Sequence, residues 1–300
     1  MALPSGLQPK TLVSLSQSEI VPPPSYIEPS VLPVGGQLIL ASQAKTGKSF
    51  IMIEMGRALA CADRPFTSQE LYCPRACRVL LIEQELGEAG LKKRIEKIYT
   101  REEISRQGFM ADNFLYVSQQ PDIKLDTVKG LKVLTDICDE VQPDVLMLDP
   151  LGRFHNVDEN NAQAVSGLWD IIDKLRKTYP GMAFITSMHM SKPPDARAGI
   201  EPLDPYRIRG SGKFFDNPDA ILTTMRTHNL ATQHKSWSVS MRFTLRHGES
   251  PDDMILHVNE GNDCRVKQFK SGGIKPLQSN VPKAKQEPPA TQEGFGFNRA

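Results

Sequence analysis

Six short apolar runs punctuate the chain: QLILA (Gln37–Ala41), RVLLIE (Arg78–Glu83), FLYV (Phe114–Val117), VLMLD (Val145–Asp149), AFITS (Ala183–Ser187) and AILTTM (Ala220–Met225). Continuous apolar runs this short predict strands buried on both faces, as in a parallel sheet. Between them the period changes. In Ala162–Tyr179 the residues Val165, Leu168, Trp169, Ile172 and Leu175 recur on one helical face, and KSFIMIEMGRALA (Lys48–Ala60) also reads as a helix. The last third alternates apolar with polar in WSVSMRFTLRHG and DDMILHV, which predicts antiparallel strands. The expected fold class is α/β: a mostly parallel central sheet flanked by helices, with a C-terminal antiparallel extension. Ligands of such sheets gather at the carboxyl ends of the strands.

Composition refines this picture at the two ends. Residues 1–30, with VPPPSYIEPS, read as a flexible arm, and residues 31–264 as the folded domain. From Arg265 to Ala300 there are seven Lys/Arg against two Glu, among many Pro, Gln and Gly, so 265–300 reads as a disordered basic tail. Overall the chain is 39% hydrophobic and 24% charged, with net charge +1, which by itself points to no nucleic acid. No apolar run approaches the roughly 18 residues that cross a bilayer, and the N-terminus lacks a signal peptide's basic start and apolar core. The five cysteines (Cys61, Cys73, Cys77, Cys138, Cys264) are odd in number and scattered, so core thiols are expected rather than disulfides or zinc ligands. The expectation is a reduced, cytoplasmic protein with no membrane partner.

The strongest chemical signal is ASQAKTGKS, residues 41–49. Gly47, Lys48 and Ser49 match the second half of the phosphate-binding pattern G-x-x-x-x-G-K-[ST], while Ser42 stands where its first glycine belongs. The order strand, loop, helix is the one the mechanism needs. Unpaired backbone N–H groups and the positive end of a helix dipole then point at an anion. The expected nucleotide-binding residues are Ser42, Gln43, Ala44, Lys45, Thr46, Gly47, Lys48, Ser49 and Phe50. Lys48 holds the β/γ-phosphates and the Ser49 hydroxyl holds Mg²⁺.

If ligands collect at strand ends, the residues closing each run carry the chemistry. Asp149 closes VLMLD as a Walker B aspartate would, placed to hold the Mg²⁺ shell. Glu83 and Glu85 close VLLIEQE, and one of them orients the attacking water. His189 and Lys192 follow AFITS at the same edge.

Taken together these segments resemble the RecA-like P-loop NTPase core of hexameric replicative helicases, of the plasmid RepA type and more distantly the DnaB type. VLLIEQELGEAGLKKRI resembles the family segment in which a strand ends in the catalytic glutamate and a helix reaches an arginine; in that register the role falls on Glu85, with Leu91 and Arg94 also matching. LMLDPLGRFH resembles the Walker B strand followed by Leu-x-x-Phe-His. SMHMSKP resembles the His-His-x-x-Lys sensor, with Met188 for the first histidine and His189 for the second. RIRGSGKFFDNPDAIL resembles the Arg-Gly-Ser-Ser segment whose arginine reaches a neighbouring subunit's nucleotide, which carries the finger role onto Arg209. The resemblance covers about Ile27 to Asn259. It implies ATP and Mg²⁺, a homo-oligomer of hexameric ring form, single-stranded DNA as partner, and a replication or loading partner met elsewhere than on the absent primase-binding domain, the basic tail being one place. Ser42 in place of glycine is expected to stiffen or reshape the loop.

Three functions stay open at this point. One is an ATP-hydrolysing motor on single-stranded DNA, a replicative helicase of a plasmid, phage or mobile element, in which Lys192, Arg197 and Arg207 follow the phosphate backbone and Tyr206 is the one stacking aromatic of that loop. The second is a recombination or repair mediator, or a regulatory RecA-like ATPase, that never unwinds duplex. The third is a small-molecule P-loop kinase, which needs neither Glu85 nor a finger in trans.

Overall fold

A computed structural model describes residues 10–21, 23–99, 112–191, 201–227, 236–259 and 267–269. The first ordered pairing is a small ribbon of β1 (Ser25–Ile27) and β2 (Leu32–Pro33). Eight further runs form one sheet with a terminal strand: β3 (Gln37–Ser42), β4 (Val79–Glu83), β5 (Phe114–Ser118), β6 (Val145–Asp149), β7 (Ala183–His189), β8 (Ala220–Thr227), β9 (Ser236–Leu245), β10 (Met254–Asn259) and β11 (Lys267–Phe269). Their order across the sheet is β11-β10-β9-β8-β3-β7-β6-β4-β5. The pairs from β8 through β3 to β5 are parallel, and those from β8 to β11 antiparallel. This is the expected mostly parallel sheet with its antiparallel extension, a RecA-like P-loop NTPase fold.

The central strands carry apolar residues on both faces because both are covered. On one face Leu38, Leu40, Val79, Leu81, Val145 and Met147 pack with α2 (Lys48–Cys61) and α3 (Gly87–Ile98). On the other, Ile39, Leu80, Ile82, Leu146, Leu148 and Phe184 meet α4 (Val128–Val141) and α5 (Ala162–Thr178). Alternate strand residues thus serve opposite cores, as the two-residue period requires. Helix α5 starts where Asn161 caps it, its side-chain oxygen accepting from the amides of Gln163 and Ala164 at 3.0 and 3.2 Å.

Both domain boundaries shift. The folded body begins before residue 31: Tyr26 and Ile27 are 2% and 0% exposed, and the Tyr26 hydroxyl donates to the Gly181 carbonyl at 2.7 Å. The Pro-rich composition there stiffens a packed segment. Before it, the five-residue helix α1 (Leu12–Ser16) buries nothing. At the other end Lys267–Phe269 pair with β10, in the segment expected to be disordered. An exposed sheet edge recruits the next extended chain. The rest of the tail lies outside the described residues, as do Cys264, Lys192 and Arg197.

Parallel register aligns the strand ends that matter. Ser42 stands opposite His189, Glu83 opposite Asp149, and Glu83 opposite Ser118 on its other side. Among the described residues no helix is long and apolar enough to cross a membrane. Cys73, Cys77 and Cys138 are buried free thiols, and burial pushes the Cys77 thiol up to about 11.

Candidate active site

Strand β3 delivers the loop of residues 43–47 straight onto the N-terminus of α2. Gly47, just before the helix, has φ of +105°, a left-handed conformation that glycine adopts at no steric cost. Lys45 holds φ of +63° with a side chain attached, a mild local strain. The amides of 43–47 donate to no protein acceptor among the described residues. Unpaired amides at a helix N-terminus, with the helix dipole behind them, are suited to hold an anion. Ser42 needs no glycine's freedom: it is the last residue of β3, its carbonyl accepts from Met190 N–H at 2.9 Å, and its hydroxyl donates to the Gln43 carbonyl.

Lys48 is buried, with Nζ 3.1 Å from Nδ1 of His189. Burial lowers its pKa, against the opposing pull of Asp149 and Glu85 and with a further push from Arg94. Burial first, and the Lys48 ammonium second, also lower the pKa of His189. Nδ1 of a neutral His189 accepts from the ammonium, which leaves Nε2–H as a donor. Asp149, buried at the end of β6, accepts a hydrogen bond from the Ser187 hydroxyl of the neighbouring strand. Arg94 projects from α3 with its guanidinium 5.2 Å over the ring of Phe50. That adds a cation beside Lys48 and stacks it on the residue after Ser49.

The two glutamates divide their work. Glu83 is 1% exposed, and its carboxylate accepts from the amides of Glu85, Leu86 and Gly87 and from the Ser118 hydroxyl. It ties down the turn into α3. Glu85 is exposed instead and lines a cavity of about 260 Å³ with His189, Arg209, Arg153 and Glu159. A second cavity of about 690 Å³ adjoins it, lined by Gln43, Ala44, Met190, Ser191 and again His189 and Arg209. Arg209 reaches both because its backbone N–H donates to the His189 carbonyl at 2.8 Å. The turn that follows requires glycine. Gly210 has φ of +101°, and a Cβ there would lie 2.7 Å from the Glu159 carbonyl.

A P-loop metal is held by a hydroxyl, waters and phosphate oxygens more than by a protein cage. The Ser49 hydroxyl at the start of α2 and the Asp149 carboxylate fit that donor set. Among the described residues no cluster of three His, Cys, Asp or Glu forms a cage of its own.

One expected DNA contact is corrected. Arg207 is 5% exposed and donates to the carbonyls of Pro202 and Ser191, at 2.5 and 2.9 Å, so its charge is spent joining two chain segments. Burial lowers its pKa. Tyr206 is 70% exposed and lies against Phe215, ring centroids 4.1 Å apart. Arg153 and Glu159, which share the cavity with Glu85, were not singled out by sequence. The only signal was their place just after the Asp149 strand.

A family model for the AAA domain (AAA_25) matches residues 3–195, more than half of the chain. No curated protein matches. Among solved structures, the flagellar accessory protein FlaH from Methanocaldococcus jannaschii is similar at a TM-score of 0.47 and 11% identity, over 80% of this chain and 91% of that one.

Proposed function

Because the chain belongs to the AAA domain family, we propose that its ATPase activity drives a RecA-like motor along single-stranded DNA, as in a replicative helicase of a plasmid, phage or mobile element. Family membership and fold support the coarser part, a RecA-like P-loop ATPase. The observation that carries the reading is the meeting of Lys48 and His189 at 3.1 Å beside an unpaired amide loop, with Glu85 and Arg209 on the adjoining cavity.

In this reading the loop amides and Lys48 hold the β- and γ-phosphates of ATP, and Ser49 and Asp149 hold Mg²⁺, which neutralises phosphate charge when bound. Glu85 orients the attacking water and takes up its proton. His189 offers Nε2–H to the γ-phosphate and, through its backbone carbonyl, fixes Arg209. The Arg209 guanidinium stabilises charge on the transferred phosphoryl group. It lines this chain's own cavity, and mixed assemblies decide whether it serves this chain's nucleotide or a neighbour's. Arg94 and Phe50 flank the nucleotide where it leaves the loop.

Support for DNA comes from the helicase-like motifs around His189 and Arg209 and from the chain running from His189 toward Lys192 and Arg197. Strand displacement tests it: with ATP the protein should unwind forked DNA bearing a single-stranded tail, and Glu85→Gln should not. ATP turnover without displacement on any fork leaves a non-unwinding RecA-like ATPase, a mediator or switch.

A further inference from the structure

The 260 Å³ cavity beside Glu85 holds more charge than the hydrolytic step uses. Arg153 enters it from the turn after β6 and Arg209 from the Arg-Gly-Ser turn. Neither guanidinium has a hydrogen-bond or carboxylate partner among the described residues. Glu159 faces the same space and is held in place. Its carbonyl accepts from Ser211 N–H at 2.7 Å, and its Oε1 lies where a Cβ on Gly152 would come within 2.8 Å. Behind it His155 is buried, its Nε2 3.8 Å from Glu159 Oε1 and neither ring nitrogen hydrogen-bonded.

We propose that this cavity receives the orthophosphate product, with Arg153 and Arg209 on its oxygens and Glu159 accepting its O–H; the proposal rests on the ATPase reading above. Attack of water on the γ-phosphorus forms one P–O bond and breaks the bond to the β-phosphate oxygen. The products are ADP and dihydrogen phosphate, which keeps both water protons once Glu85 returns the one it carried. The γ-phosphate of ATP offers only acceptor oxygens, so a carboxylate facing it repels. Dihydrogen phosphate donates as well as accepts, and a wall of two guanidiniums with Glu159, across from Glu85, matches it. The cavity therefore discriminates product from substrate, and draws the phosphate away from the loop.

Calorimetric titration of orthophosphate into the full chain loaded with ADP and Mg²⁺ tests this. Wild-type protein should bind, and Arg153→Gln and Glu159→Gln should each weaken orthophosphate roughly ten- to hundredfold while ADP affinity stays within about twofold. Arg153 is exposed, so its substitution leaves the core untouched. No orthophosphate binding by the ADP-loaded wild type, affinity unchanged in both variants, or an equal loss of ADP affinity overturns the assignment. Failure of the wild type to bind ADP or ATP contradicts the ATPase reading instead, and orthophosphate titrated alone into the same three proteins then decides the cavity.

Discussion

Glu83 and Glu85 are two residues apart and face different tasks, which makes them the sharpest test at the scale of single side chains. Glu85→Gln should retain ATP and lose turnover by about 10²- to 10⁴-fold, because an amide neither takes a proton nor orients water well. Glu83→Gln should keep most turnover and lose about 1–2 kcal/mol of stability, since the carboxylate it replaces caps the amides leading into α3. Single-turnover kinetics and urea unfolding on both variants separate the roles, and the reverse ranking would reassign them. Gly210 is a second such point. An alanine there meets the Glu159 carbonyl at 2.7 Å, so Gly210→Ala should shift Arg209 at a cost of about 1–3 kcal/mol and lower kcat more than nucleotide affinity. The places of the loop and of the strand ends in the fold were legible in sequence because each is tied to a local pattern. Arg207 was misread because composition reports a charge without its surroundings, and here those are two backbone carbonyls.

At the scale of elements, α2 carries the phosphate loop on one end and a buried ion pair on its inner face. Arg57 donates through Nε and Nη2 to both Glu54 oxygens at 3.0 and 2.9 Å, and Tyr99 at the end of α3 joins the same carboxylate. Glu54 and the neighbouring phenol hold the Arg57 pKa up against burial. Arg57→Ala strands a buried carboxylate and should cost about 3–5 kcal/mol in denaturant unfolding. The turn between β6 and α5 gives a pH signature. Burial pushes His155 below the ordinary imidazole range, against the pull of Glu159 and Asp126. The unfolded chain then takes up a proton that the folded one resists, so stability is complete above that range and falls as pH drops through it. Thermal melts of His155→Asn across this window should show a shallower acid loss than wild type, with the part due to His189 remaining. Strands and helices in this region were readable from period alone. The ribbon of β1 was not, because Tyr26 is held by a hydroxyl bond to residue 181, a contact no local window contains.

For the whole molecule, the phosphate loop and the strand ends that carry Glu83, Asp149 and His189 meet at one end of the sheet, where the proposed motor would cycle on single-stranded DNA. The parallel order of the sheet was legible because its strands read as unbroken apolar runs. The cavity shared by Arg153, Glu159 and Arg209 was not, since three separate turns must converge to make it. Arg209 links this scale to assembly. Mixing Arg209→Ala with Glu85→Gln chains should recover no activity if the arginine serves its own nucleotide; recovery in stable mixed assemblies would move it to a neighbour's. The central claim is most directly met by steady-state ATP turnover of the full chain with and without single-stranded DNA, beside Lys48→Ala as the phosphate-loop control. The account predicts turnover by the wild type that rises severalfold or more with single-stranded DNA, and none in Lys48→Ala. Turnover that survives the loss of Lys48, or that single-stranded DNA leaves unchanged, would contradict it.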